Sequence, residues 1–157
     1  MRAAQWTHHI HVAEAADLPA CAAIVNDYLD EVPWLPRIKS RAEIAAMFTP
    51  GVLAERVILV ADRAQGVSGY LSLATEGLVR RFYLLSGMRG RGTGAALMAE
   101  ATVLHPAGLE PNVFVPNLYA QRFCAREGFV EEPEGRDNAT EEGIRTLSLR
   151  WTGEKRG

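Results

Sequence analysis

Apolar positions along this chain change period more than once, and the changes mark its elements. "HIHVAEA" (His9 to Ala15) alternates and predicts a first strand. From Leu18 the spacing becomes helical: Leu18, Cys21, Ala22, Val25, Tyr28 and Leu29 form one stripe, the buried face of a helix. Asp17 stands at its N-cap, and Pro19 lies in its first turn, where a missing N–H does no harm. "DEVPWLPR" breaks that helix at its prolines. Ser40 followed by Glu43 makes a capping box, opening a second short helix with Ile44, Met47 and Phe48 on its apolar face.

The period then falls to two. "RVILVAD" (Arg56 to Asp62), "VSGYLSLAT" (Val67 to Thr75) and "LVRRFYLLS" (Leu78 to Ser86) predict three strands joined by "AQG" and "EG" turns, an antiparallel meander. A helix follows from about Thr93 to Leu104, ended by His105, Pro106 and Gly108. "EPNVFVP" is a strand. Asn117 caps a last helix that ends near Glu127 with Gly128 as its C-cap. "FVEE" and "IRTLSLRW" (Ile144 to Trp151) complete the chain. The order β-α-α-β-β-β-α-β-α-β-β predicts an α/β fold: a mixed, mostly antiparallel sheet of six to seven strands with about four helices.

Composition narrows the class. The 157 residues suit a single domain over 1–157, with residues 1–8 a candidate for disorder. A formal net charge of −2 lacks the basic excess of general nucleic-acid binders. Cys21 and Cys124 are too few for a disulfide framework or a cysteine zinc site, which points to a reducing compartment. No apolar run approaches the roughly 18 residues needed to span a bilayer, and "MRAAQWTHHI" lacks a signal-peptide core. A soluble cytoplasmic protein without metal, nucleic-acid or membrane partners is expected.

The candidate chemistry lies in "FYLLSGMRGRGTGAALMAEA" (Phe82 to Ala101). A helix starts with about four N–H groups that lack partners and with partial positive charge. A glycine-rich turn before it lets those groups converge on a phosphate. Arg89 and Arg91 add charge, and Gly90, Gly92 and Gly94 permit close approach. The ligand is therefore expected to be a phosphorylated cofactor. A Walker A loop is excluded, since no Gly-Lys-Ser/Thr end is present. Gly90, Gly92 and Ala95 satisfy the looser dinucleotide fingerprint, with Glu110 about 20 residues on. That alternative fails on context, because the loop follows a meander and too little chain remains for two mononucleotide halves.

Arg89-Gly90-Arg91-Gly92-Thr93-Gly94 resembles the Arg/Gln-x-x-Gly-x-Gly/Ala signature of the GNAT superfamily of acyl-CoA-dependent N-acetyltransferases. "FYLLSGM" resembles its fourth strand and loop, and "NLYAQRFCAREGF" (Asn117 to Phe129) the segment after its fifth strand. "VAEAADLPACAAIVNDYLDEVPWLPR" is similar to its N-terminal strand and helix. The resemblance covers nearly the whole chain in the right order. It implies acetyl-CoA as co-substrate, its pyrophosphate on the N–H groups of Gly90 to Ala95 (Thr93 included). The pantetheine arm would lie along Phe82, Tyr83 and Leu84 like an added strand. Asn117 would contact that arm or order the site. It also implies direct attack of a neutral amine of a small molecule or peptide on the thioester, with the backbone near Leu84 as the carbonyl's donor. Members often dimerise, so a homodimer is a candidate assembly.

The sequence departs from that pattern in two places. The residue that protonates the departing thiolate is usually a tyrosine seven positions after the Asn; here it is Cys124. Either Cys124 donates the proton, or it packs in the core and Tyr119, near it on the same helix, takes the role. The fourth strand carries no carboxylate, so the base is open: Glu76, Glu110 or a water chain. This keeps a non-catalytic acyl-CoA-binding module as the alternative. Arg80 and Arg81 alternate, so one of them, with Arg80 the candidate, should face the cleft and could bind an acidic group on the substrate. Trp34 either lines an acceptor pocket or anchors its loop, and Asp30 and Glu31 could attract a cationic amine. "EEPEGRDNATEEG" (Glu131 to Gly143), with six acids against one arginine, reads as a solvated hairpin or as an acidic rim for amines. His9 and His11 share a strand face, where solvation outweighs metal binding.

Overall fold

A computed structural model describes residues 9–63, 66–74, 77–85, 92–132, 140 and 142–151. Seven strands form one sheet: β1 (His9–Val12), β2 (Val57–Arg63), β3 (Gly66–Leu73), β4 (Leu78–Leu84), β5 (Glu110–Phe114), β6 (Val130–Glu131) and β7 (Thr146–Arg150). Their spatial order is β1-β2-β3-β4-β5-β7-β6. Every neighbouring pair is antiparallel except β4 and β5. The helices are α1 (Leu18–Glu31), α2 (Arg41–Ala46), α3 (Val52–Glu55), α4 (Thr93–Leu104) and α5 (Leu118–Arg126). The expected mixed, mostly antiparallel sheet is present.

Alternation along β2 and β3 sends side chains to two cores, one on each face. Leu59, Ala61, Leu71 and Leu73 join Val79, Leu97, Met98, Phe123 and Cys124 under α4 and α5. Ile58, Val60 and Tyr70 join Leu18, Cys21, Val25 and Ile44 under α1 and α2. The helical stripe in α1 is thus buried as its spacing demands. Ser40 caps α2, with its hydroxyl accepting from the Glu43 N–H at 3.1 Å and the Glu43 carboxylate accepting from the Ser40 N–H at 2.8 Å. Met47, expected on the apolar face, is 39% exposed, because α2 ends before it and only Phe48 turns inward.

Three local expectations need correction. β1 stops at Val12 because Ala15–Asp17 is a 3-10 turn. The Asp17 carboxylate accepts from the Glu14 N–H at 2.9 Å, so it closes that turn and makes no side-chain cap on α1. α3, a single turn after Pro50, is too short to display a period. Beyond these three, β4 carries a β-bulge: Ser72 pairs with Arg81 but Leu73 pairs with Val79, which leaves Arg80 as an extra residue.

Candidate functional site

β4 and β5 are paired only at Leu78 with Glu110 and Val79 with Pro111. Beyond that point β4 continues along β3, while Asn112 to Phe114 of β5 turn to β7. The two strands part, and a cleft opens between them. Its walls are Arg80 to Leu84 on one side and Asn112 to Phe114 on the other. Gly94 at the start of α4 and Asn117, Tyr119, Ala120, Phe123 and Cys124 at the start of α5 close it below, and Tyr28 of α1 closes it above.

The free edge of β4 has a definite polarity. The Leu85 N–H donates to the Ser68 carbonyl at 2.8 Å, so by antiparallel alternation Tyr83 and Arg81 also spend their backbone groups on β3. Phe82 and Leu84, opposite Leu71 and Gly69, turn their N–H and carbonyl groups to the cleft. Of the three residues expected to hold an added strand, Phe82 and Leu84 have the backbone for it. Tyr83 does not, and it contributes only its ring.

At the other end of the cleft, α4 begins. Gly92 is its N-cap at φ 85°, the left-handed region that favours glycine. Thr93 is fully buried, and the N–H groups of Thr93, Gly94 and Ala95 lie in the first turn, ahead of the first intrahelical bond from Ala96 to Gly92 at 3.0 Å. Gly94 has a packing reason as well. A Cβ there would meet Phe123 at 3.3 Å and Phe82 at 3.4 Å, so a side chain would press apart the rings that floor the cleft. Arg89, Gly90 and Arg91 of the expected phosphate loop lie outside the described residues, as does Glu76.

Asn117 orders the site. Its Oδ1 accepts from the Ala120 N–H at 3.1 Å, capping α5, and its Nδ2 donates to Tyr28 Oη at 3.2 Å. Tyr28 in turn stands edge-on to Tyr83, with centroids 5.1 Å apart. Burial holds the Tyr83 phenol above its ordinary range, although the Arg81 guanidinium bonded to it pulls the other way. Tyr83 is therefore a neutral hydroxyl at pH 7.

Cys124 lines the cleft but belongs to the core, at 3% exposure. Burial, with a smaller contribution from Glu127, pushes its thiol up to about 12. An ordinary thiol sits near 8.5, so a proton would move uphill from Cys124 to a departing thiolate. Tyr119 also lines the cleft, half-buried on the first turn of α5. No carboxylate lines the cleft among the described residues. Glu110 is held by Arg150 at 2.8 Å on the exposed side of the sheet. Asp30 is bonded to Arg37 at 2.9 Å and also to Arg41, so it is not free to attract an amine. Trp34 packs edge-on against Phe114 at 5.7 Å, which fixes the α1–α2 loop to the rim of the cleft. Arg80 and Arg81 both line the cleft, against the expectation that alternation admits only one, because the cleft runs along the parted edge of β4 and is lined by every residue from Arg80 to Leu84. Most of the acidic segment 131–143 lies outside the described residues; Glu132 pairs with Arg150 at 2.6 Å.

Solved structures share this fold. A GNAT-family protein from Desulfovibrio desulfuricans aligns with a TM-score of 0.67 and 16% identity, over 94% of this chain and 100% of its own. The chain has the GNAT fold. The ribosomal-protein-alanine N-acetyltransferase from Brucella melitensis aligns with a TM-score of 0.68 and 24% identity, over 92% of this chain and 99% of that one. The yncA protein from Salmonella typhimurium, solved with its cofactor acetyl-CoA, aligns with a TM-score of 0.71 and 17% identity, over 96% of each chain. No family model and no curated protein matches the chain. Within the GNAT fold, the parted β4 and β5 found here are the feature on which a site can be built. No helix among the described residues is long and apolar enough to cross a membrane.

Sequence reasoning missed Tyr28 as a wall of the cleft and treated it as part of a buried stripe. Nothing in a 3.6-residue period distinguishes the two. The bulge at Arg80 also had no local signal, since "LVRRFYL" contains neither glycine nor proline.

Proposed function

We propose that the protein is an N-acetyltransferase that moves the acetyl group of acetyl-CoA to a primary amine of a small molecule or peptide within a ternary complex. The observation that carries this is the free edge of β4. Phe82 and Leu84 offer N–H and carbonyl groups to a cleft that runs from the bulge to the first turn of α4, and an extended amide-bearing arm can bind there as an added strand. The residues fit the co-substrate. The N–H groups at the start of α4 suit a phosphate, and Phe82, Phe123 and Ala120 supply an apolar floor. When bound, acetyl-CoA supplies an activated thioester. The chain's own part is to exclude water, to hold the thioester oxygen against a backbone N–H of β4, and to deliver a proton to the leaving sulfur. We assign that last role to Tyr119, whose hydroxyl-bearing ring lines the cleft wall, in place of the buried Cys124.

The absence of a carboxylate among the described cleft residues favours a second reading, a non-catalytic acyl-CoA-binding module. Thioester consumption over a panel of amines separates the two. Transfer is expected from the wild type, with Tyr119→Phe lowering kcat by roughly a hundredfold or more and leaving acetyl-CoA binding in place. Cys124→Ser should retain most of the rate. Stabilisation by acetyl-CoA, about 2.7 kcal/mol at a hundredfold excess over Kd, without turnover of any amine would establish the binding module instead.

A further inference from the structure

A second, smaller pocket lies on the α1 side of the sheet, beside the cleft. Met47, Phe48, Val52, Arg56, Ile58, Tyr70, Ser72 and Arg81 line about 70 Å³. One water-sized group needs only about 10–15 Å³ of such space, so there is room for several. Arg81 belongs to the walls of both openings. The two cavities are therefore neighbours across one guanidinium.

This pocket holds an anomaly. Tyr70 Oη and Ser72 Oγ are buried side-chain oxygens with no hydrogen-bond partner among the described residues, and their residues are 0% and 1% exposed. A buried hydroxyl without a partner is destabilising, and such groups are rare. Here two occur together, two residues apart on one face of β3: Ser72 pairs with Arg81 and Tyr70 with Tyr83. Arg56 and Arg81 both stand close enough to act on the Tyr70 phenol. Among the described residues neither guanidinium has an ion-pair partner. Glu142 acts on Tyr83 and not on Tyr70. Arg81 is bonded to Tyr83, yet a guanidinium carries five N–H donors, so most remain. Burial keeps the Tyr70 phenol neutral, hence a donor. The pocket thus collects two cations and two unspent O–H donors around a small space with apolar walls. Among the described residues that line the pocket, none supplies a carboxylate to that donor set.

We propose that this pocket is a carboxylate subsite, and that the amine acceptor carries an acidic group which seats between Arg56 and Arg81 and accepts from Tyr70 Oη and Ser72 Oγ. The inference rests on the N-acetyltransferase reading for the position of the amine, which would lie past Arg81 in the cleft. It names the substrate class, an amino acid or similar amino-carboxylate. The apolar walls of Phe48, Met47 and Val52 suit the carbon next to the carboxylate. Plain polyamines would leave both arginines unpaired and would bring further positive charge to them, which disfavours such acceptors.

The test uses two readouts on the full chain. In the first, leucine, phenylalanine and methionine are each offered with acetyl-CoA beside the methyl ester and the decarboxylated amine of the same compound. The acid-bearing member should be preferred by roughly tenfold or more in kcat/KM, as expected for a charge-assisted hydrogen bond. Tyr70→Phe and Arg56→Gln should remove that preference chiefly through KM and leave the esters unchanged, while Arg56→Lys restores part of it. In the second, melting is followed with sodium butyrate against butyramide in sodium chloride of matched ionic strength. Butyrate should stabilise the wild type and not Arg56→Gln. No butyrate effect together with equal use of acid and ester overturns the subsite, even if amines are acetylated, and leaves the pocket to water. A butyrate effect lost in Arg56→Gln, with no amine acetylated, overturns the N-acetyltransferase reading and leaves the subsite standing.

Discussion

The two edges of β4 behave differently. Toward β3 the strand is registered from Val79 to Leu84, with one bulge at Arg80. Toward β5 it is registered over two residues and then stands free. One strand thus does structural work on one side and offers unpaired backbone on the other. An open edge inside a sheet is a liability unless something covers it. Here α5, its cap Asn117 and Tyr28 shield the gap without filling it. A side chain that faces β3 should therefore be felt as stability, and a backbone group that faces β5 as ligand affinity.

The largest expected effect lies on the closed edge. Leu71 is fully buried opposite Phe82. Leu71→Ala should cost about 2–5 kcal/mol in urea denaturation, with the folded fraction still able to bind acetyl-CoA. Next comes the shield. Asn117→Ala removes the α5 cap and the bond to Tyr28, and should cost about 1 kcal/mol. Because the same side chain orders the cleft, acetyl-CoA affinity should fall with it, whereas an α5 cap of purely structural value would leave affinity alone.

A smaller effect probes the open edge. Leu84→Pro deletes an N–H that faces the cleft and none that faces β3. Acetyl-CoA should bind about three- to tenfold more weakly by calorimetry, as for one hydrogen bond, while Leu84→Ala, which keeps the N–H, changes affinity less. Equal losses in the two variants would mean that the side chain, not the backbone, is what the ligand uses.

The smallest effect lies far from both edges and serves as a control. His11 Nε2 lies 2.7 Å from the Asp62 carboxylate. Burial alone would lower the imidazole, but the Val12 carbonyl and Asp62 outweigh it and hold it above its ordinary 6.5. A raised value means that the charged form is favoured by folding. That contribution is complete below pH 6.5 and fades as pH rises through the folded value. Wild type should lose a little melting temperature between pH 6 and pH 8, and Asp62→Asn should lose less. Neither change should alter acetyl-CoA binding.

Much of this was readable in the sequence. The period-two runs gave β2, β3 and β4 within a residue or two, and Ser40-x-x-Glu43 and Asn117 marked two helix starts correctly because caps are local chemistry. The residues that shape the site were harder to see. Arg81 lines both cavities because β4 parts from β5 beside it while it stays paired with Ser72, and Tyr28 meets Tyr83 only through tertiary packing. Cys124 shows the limit most clearly. Its position suggests a proton donor, and only the burial around it shows why a thiol there is a poor one.

The central claim is that the open edge of β4 receives acetyl-CoA as an added strand. Amide hydrogen exchange with and without acetyl-CoA, resolved by residue, tests it most directly. Protection should rise at Phe82, Leu84 and the first turn of α4, with Arg81 and Tyr83 already slow and little changed. Protection that rises elsewhere while Phe82 and Leu84 stay as they were would contradict the account.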